Sequence, residues 1–216
     1  KDTVIATSRP HLFNDTTTSE ISTRALHVVL HIALYAIWEW GALAEIDAIP
    51  ESYSYWTFSD VFEEAGVPRA IFHGGFGLLT ENGIRKPIFW TFQFASRLGN
   101  AVIHSDEHLL VTKHSDARIS VLAFNPCHDL GNSSAVSISL ELDLLESHYL
   151  RIDKTVDEYN GNAYNAWKMM GRPRYPDDLA LGVIRQAQYP RLSFSQVLGG
   201  RTTSLDIELD VNALHL

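Results

Sequence analysis

The pattern of apolar and polar positions changes character near the middle of the chain. Residues 3–7 (TVIAT) form a short β-branched run followed by polar and turn-forming residues, which predicts a buried strand ending in a loop. From 21 to 40, Ala25, Val28, Val29, Ile32, Ala33, Ala36 and Ile37 recur at helical spacing. N-cap candidates precede this helix at 16–19 and Gly41 stops it. Residues 53–58 have the aromatic and threonine content of a strand, and 59–83 form a long glycine-rich loop of the kind that carries function. A helix over 88–98 follows, ended by Gly99 and Asn100.

Beyond Asn100 the period shortens. Segments 101–104, 109–113, 118–125, 135–142 and 149–153 read as short strands with polar turns between them, the signature of an antiparallel sandwich. Residues 156–190 are less regular, with a short helix at 163–170, and strands return at 192–197 and 204–211. The last of these alternates apolar and acidic residues in LDIELDV. The reading is therefore α/β over residues 1–99 and all-β over 100–216, with the boundary at Gly99.

Composition narrows the classes. At 216 residues with 45% apolar content the chain can bury a substantial core. Its net charge of −9 and the absence of any lysine or arginine run argue against nucleic acid as a partner. The most apolar run, 25–38, is interrupted by two histidines and falls short of the about 20 residues that cross a bilayer, so no membrane span is expected. No signal peptide is visible. The single cysteine, Cys127, excludes an internal disulfide and fits a reducing compartment such as the cytoplasm.

The candidate chemistry gathers at 53–80. Four aromatic residues, Tyr53, Tyr55, Trp56 and Phe58, precede Asp60 and the pair Glu63 and Glu64; His73 then stands between Phe72 and two glycines. Apolar walls beside a few convergent polar groups suit a small polar ring such as a sugar. The carboxylates could receive sugar hydroxyls or serve as acid and base, or could equally be a solvated acidic turn. His73 could meet a substrate or simply satisfy a loop carbonyl. His27 and His31 have the i, i+4 spacing of metal ligands but no acidic residue of the zincin type between them, and no metal or other cofactor is expected. His104 and His108 flank a predicted hairpin turn and read as surface residues.

SYWTFSDVFEE at 54–64, FHGGFGLLT at 72–80 and GIRKP at 83–87 together resemble glycoside hydrolase family 39, in its β-xylosidase branch; the family also includes α-L-iduronidases. A second patch, YLRIDKTVDEYNGNAYNAWKMMGRPRYP at 149–176, is similar to that family's C-terminal sandwich. The resemblance implies a (β/α)8 barrel followed by a β-sandwich, and retaining hydrolysis by two carboxyl groups about 5 to 5.5 Å apart. It makes 53–58 the eighth barrel strand, with Trp56, Asp60, Glu63, Glu64, Phe72 and His73 on one wall of a sugar subsite and a small xyloside-like saccharide as partner. The family's Asn-Glu-Pro acid/base motif does not occur, and the position of the nucleophile falls loosely on Val4, with Asp2 as the alternative. No catalytic residue is recognisable. Two strands of an eight-stranded barrel cannot close, so the chain is expected to be a fragment of a longer enzyme, to pair with other material such as another copy of itself, or to be a divergent remnant supported mainly by its sandwich. A uronic acid substrate would need a cation, and only Arg69 and Arg85 lie nearby.

Overall fold

A computed structural model describes the backbone of residues 4–10 and residues 55, 57–61, 70–116, 118–126, 134–200 and 202–216. The predicted helix over 21–40, His27, His31 and Cys127 lie outside the described residues.

Two antiparallel sheets dominate. Three strands, β1 (Val4–Pro10), β5 (Val136–Asp143) and β8 (Thr202–Leu209), form one sheet in the order β1-β5-β8. The other has six: β2 (Ala101–Ser105), β3 (Leu109–Lys113), β4 (Ile119–Phe124), β6 (His148–Val156), β7 (Arg191–Leu198) and β9 (Leu214–His215), in the order β2-β3-β4-β9-β6-β7. Alternation explains the smaller sheet. Val136, Ile138, Leu140 and Leu142 of β5 turn inward, joined by Ile207 and Leu209 of β8, while Ser137, Ser139, Glu141 and Asp143 turn outward.

The larger sheet is buried on both faces at its centre, which is why β3 reads as a continuous apolar run. Leu109 and Val111 meet the three-stranded sheet, whereas Leu110, Leu122 and Phe124 meet Trp90 and Phe94 of helix α1 (Pro87–Ala95). Proline at its first turn suits that helix start, where the missing N–H costs no bond.

Two short helices, α2 (Ala163–Met169) and α3 (Asp178–Ala187), lie between β6 and β7. Asn162 caps the first by accepting from Asn165 N–H at 3.1 Å, and Asp177 caps the second by accepting from Ala180 N–H at 2.8 Å. Their apolar faces pack Tyr164, Trp167 and Ile184 against Ile71, Phe72 and Ile84, so the glycine-rich loop and these helices share one core.

Most expected strands and both expected helices after residue 86 are present. Helix α3 and strand β9 were not anticipated. The first strand differs most in its setting. Val4 pairs with Leu142 in an antiparallel ladder, which places β1 at the edge of the three-stranded sheet. A nucleophile position at the end of a parallel barrel strand does not match that pairing, because strand neighbours are chosen by long-range packing that a five-residue run cannot reveal.

Candidate functional site

The glycine-rich loop is built around one carboxylate. Residues 57–60 run beside 78–79: Leu78 N–H donates to Thr57 O at 3.0 Å, Leu79 N–H to Phe58 O at 3.0 Å, and Asp60 N–H to Leu79 O at 2.9 Å. The bridge between Ser59 and Leu79 is parallel, and Leu79 also bridges Arg85 in the antiparallel sense. A tight turn at 80–84 closes the second pairing, with Gly83 at φ +73°, where a glycine is favoured.

Asp60 is drawn under this ladder, its side chain 0% exposed. Oδ1 accepts from Gly77 N–H at 2.7 Å and from Lys86 Nζ at 2.7 Å, and Lys86 Nζ lies 2.6 Å from Oδ2. Lys86 also donates to Gly75 O at 2.8 Å. A Cβ on Gly75 would stand 2.6 Å from Asp60 Oδ1, and one on Gly77 only 2.4 Å from Asp60 N, so these two glycines are required for the carboxylate to reach the backbone. Burial pushes the Lys86 ammonium below its ordinary pKa, and the hydrogen bond and charge of Asp60 oppose that shift. A pair so desolvated persists because both partners are present and Gly77 N–H adds a donor to Oδ1, while Oδ2 has the Lys86 ammonium beside it but no hydrogen bond of its own.

Of the predicted site residues, Asp60, Phe72 and His73 are described, and Asp60 and His73 lie side by side. Asp60 is the buried centre of a latch, with its carboxylate turned to Lys86 and Gly77. Phe72 is 7% exposed and packs its ring on Tyr164 and Trp167, with centroids 5.7 and 5.5 Å away; it supports the loop from beneath. His73 is partly open, with Nε2 3.8 Å from Asp60 Oδ2. Trp56, Glu63 and Glu64 lie outside the described residues. Sequence reasoning missed Lys86, whose signal was a lone lysine ahead of a helix-starting proline. Arg85, weighed as a cation for a uronic acid, is stacked over Phe89, Trp90 and Tyr189 at 5.1, 5.6 and 5.5 Å.

His104 Nε2 lies 2.9 Å from Asp106 Oδ2, a local contact of the β2–β3 hairpin, and His108 Nδ1 lies 3.1 Å from Phe124 O at the end of β4. Among the described residues no group of three or more His, Cys, Asp or Glu side chains could hold a metal ion, and no helix is long and apolar enough to cross a membrane.

The fold as a whole matches solved chains. A monomeric β-xylosidase from Caulobacter crescentus CB15 matches 92% of this chain over 43% of its own, with a TM-score of 0.73 and 25% identity. A GH39 enzyme from Xanthomonas axonopodis pv. citri matches 88% over 40% of its own, with a TM-score of 0.71 and 22% identity. The model of the glycosyl hydrolases family 39 matches residues 10–202, and the chain belongs to that family. It is 37% identical over 179 residues to a β-xylosidase of Geobacillus stearothermophilus, covering 83% of this chain and 36% of the relative. A β-xylosidase of Caldicellulosiruptor saccharolyticus is 30% identical over 168 residues, covering 75% and 34%. The chain thus spans little more than a third of the length of these relatives.

Proposed function

We propose that this chain forms the C-terminal portion of a retaining glycosidase that releases terminal xylose from xylosides and xylo-oligosaccharides. In that reading the segment before Gly99 supplies the last units of a (β/α)8 barrel and the two sheets form its companion sandwich. The observation that carries the reading is the 37% identity to a β-xylosidase over 83% of the chain.

The latch supports a role in substrate positioning. It fixes Val61 on one side and the 70–79 loop on the other, the two flanks of the stretch 62–69 that carries Glu63 and Glu64 in the sequence. Phe58 and Phe76, 66% and 67% exposed, stand on the two segments that the latch joins and offer ring faces to a pyranose. Glu63 and Glu64 then accept sugar hydroxyls, and His73 borders the same wall. The acid/base and nucleophile are not among the residues assigned here.

The test is hydrolysis of an aryl β-xyloside by the 216-residue chain. We expect no turnover above the uncatalysed rate. Robust turnover, abolished by Glu63→Gln or Glu64→Gln, would place the reacting carboxylates in this stretch and overturn the assignment. The second reading, a non-catalytic carbohydrate-binding or structural sandwich, is favoured by the absent Asn-Glu-Pro triplet. It predicts saccharide binding that survives loss of both glutamates.

A further inference from the structure

The dipeptide Asn-Gly occurs twice, at 82–83 and at 160–161, and the fold treats the two in opposite ways. In this dipeptide the glycine nitrogen can reach the asparagine side-chain carbonyl carbon readily, because glycine has no Cβ to shield it. At the second site that approach is blocked. Asn160 Nδ2 donates to both oxygens of Asp157, at 2.9 Å each, and its main-chain N–H donates to Asp157 Oδ1 at 2.7 Å. Gly161 is buried and its N–H donates to Tyr189 O at 2.9 Å. A Cβ placed on it would meet Val156 Cγ2 at 3.0 Å and Cγ1 at 3.3 Å, so the space around its nitrogen is taken.

Asn82 and Gly83 form the tip of the turn that joins Leu79 to Arg85, and both are exposed. A Cβ on Gly83 would have nothing within 4 Å, and among the described residues no hydrogen bond holds the Asn82 side chain. The turn is closed around them: Gly83 N–H donates to Thr80 O at 2.9 Å, Thr80 N–H to Ile84 O at 2.9 Å, and Ile84 N–H to Thr80 Oγ1 at 3.1 Å. These bonds fix the backbone and leave the Asn82 amide free to rotate toward Gly83 N. The same turn delivers Lys86, whose N–H donates to Leu78 O at 2.9 Å and whose ammonium reaches Asp60.

We propose that Asn82 is a self-modifying site, where deamidation to isoaspartate loosens the Asp60–Lys86 latch. Gly83 N gives up its proton to solvent and bonds to Asn82 Cγ. The Cγ–Nδ2 bond breaks, and the nitrogen takes up a proton and leaves as ammonia. Water then adds to either carbonyl of the cyclic imide that remains. One opening gives an ordinary aspartate, and the other leaves the main chain running through the side-chain carbon as isoaspartate. Water is the only co-reactant, and nothing is oxidised or reduced. Isoaspartate places an extra carbon between Cα of residue 82 and Gly83 N, inside the ring that the Gly83–Thr80 hydrogen bond closes. The ring cannot keep its bonds at that length. The bridge of Leu79 to Arg85 then loses register, and Lys86 is drawn away from Asp60. The new carboxylate also stands next to Glu81, in a chain whose net charge is already −9.

The experiment ages the 216-residue chain in buffer made with heavy-oxygen water and maps the tryptic peptides 70–85 and 155–168 by mass spectrometry. Residue 82 is expected to take up one heavy oxygen, with isoaspartate as the main product. Conversion there should run at least about tenfold faster than at residue 160, because freeing Asn160 breaks hydrogen bonds to a charged group. In the urea-unfolded chain the two rates should converge. Equal rates in the folded chain, or conversion at Asn160 first, overturns the site. The latch is read by hydrogen exchange at Gly77, whose N–H is sealed on Asp60 Oδ1. The isoaspartate form, separated by its extra charge, should exchange this amide at least about tenfold faster than the fresh chain. Fresh Asn82→Asp, which supplies the charge without the added carbon, should exchange at the unaged rate. Unchanged exchange in the isoaspartate form, or equally fast exchange in fresh Asn82→Asp, overturns the coupling to the latch.

Discussion

Two carboxylates, each beside a basic partner, stand in different settings and do different work. Asp60 is sealed under the loop with Lys86 and a backbone N–H. Asp153, on β6, accepts from Arg151 Nε at 2.8 Å and lies 3.1 Å from His215 Nε2, with Thr155 Oγ1 3.2 Å from the other ring nitrogen. In the first site the carboxylate is fully buried and its lysine nearly so. In the second, Asp153 and His215 keep 16% and 14% of their side chains exposed. Desolvation separates them: a buried pair is costly to break singly, while a half-open network can exchange partners at modest cost.

The contrast is sharpest when one partner is removed. Asp60→Ala leaves the Lys86 ammonium buried without its counter-charge and should cost about 3 to 5 kcal/mol of unfolding free energy, read from denaturant midpoints. Asp153→Ala should cost about 1 kcal/mol, because water can replace the lost acceptor. Equal losses at the two sites would erase the distinction. Gly77→Ala comes next in size: with backbone 2.4 Å from the new methyl, the loop must shift, and a loss of about 1 to 3 kcal/mol is expected by thermal unfolding. Asp177→Ala, which removes a cap far from both carboxylates, should cost about 1 kcal/mol and leave the latch unchanged.

The smallest expected effect is that of pH. Burial holds the His215 pKa below its ordinary 6.5, with Asp153 raising it and Arg151 and Arg191 lowering it further. The unfolded chain therefore takes up a proton before the folded one does. Stability should fall as pH drops below about 6.5, with a slope of at most about 1.4 kcal/mol per pH unit from this group. His215→Gln should flatten that limb of the stability profile and leave the Asp60 latch unaffected.

Much of the sheet architecture was legible because burial there follows a local rule. LDIELDV announces β8 by strict alternation, and the run at 109–113 coincides with β3. Less was legible where a residue's role depends on distant chain. Phe72 looks like a sugar wall beside His73, yet its neighbours are Tyr164 and Trp167 of a helix inserted between β6 and β7. Asp60 looks like one of several free acids, yet Lys86 and two glycines claim it. Strand β9 was invisible because two paired residues carry no periodicity. Helix α3 was hidden because only Ile184 of its ten residues is buried, so its apolar stripe is thin, although Asp177 marked its start.

The contacts at Gln188 bear on how the chain is made. Gln188 Oε1 accepts from Arg85 N–H at 2.9 Å across 103 positions of sequence, and its main-chain oxygen takes the Trp90 indole N–H at 2.8 Å. At about 5 to 20 residues per second, a ribosome needs on the order of 5 to 20 seconds to travel from the first partner to the last. For that interval the start of helix α1 emerges with its docking groups unmet, a window in which its aromatic face is open to a chaperone.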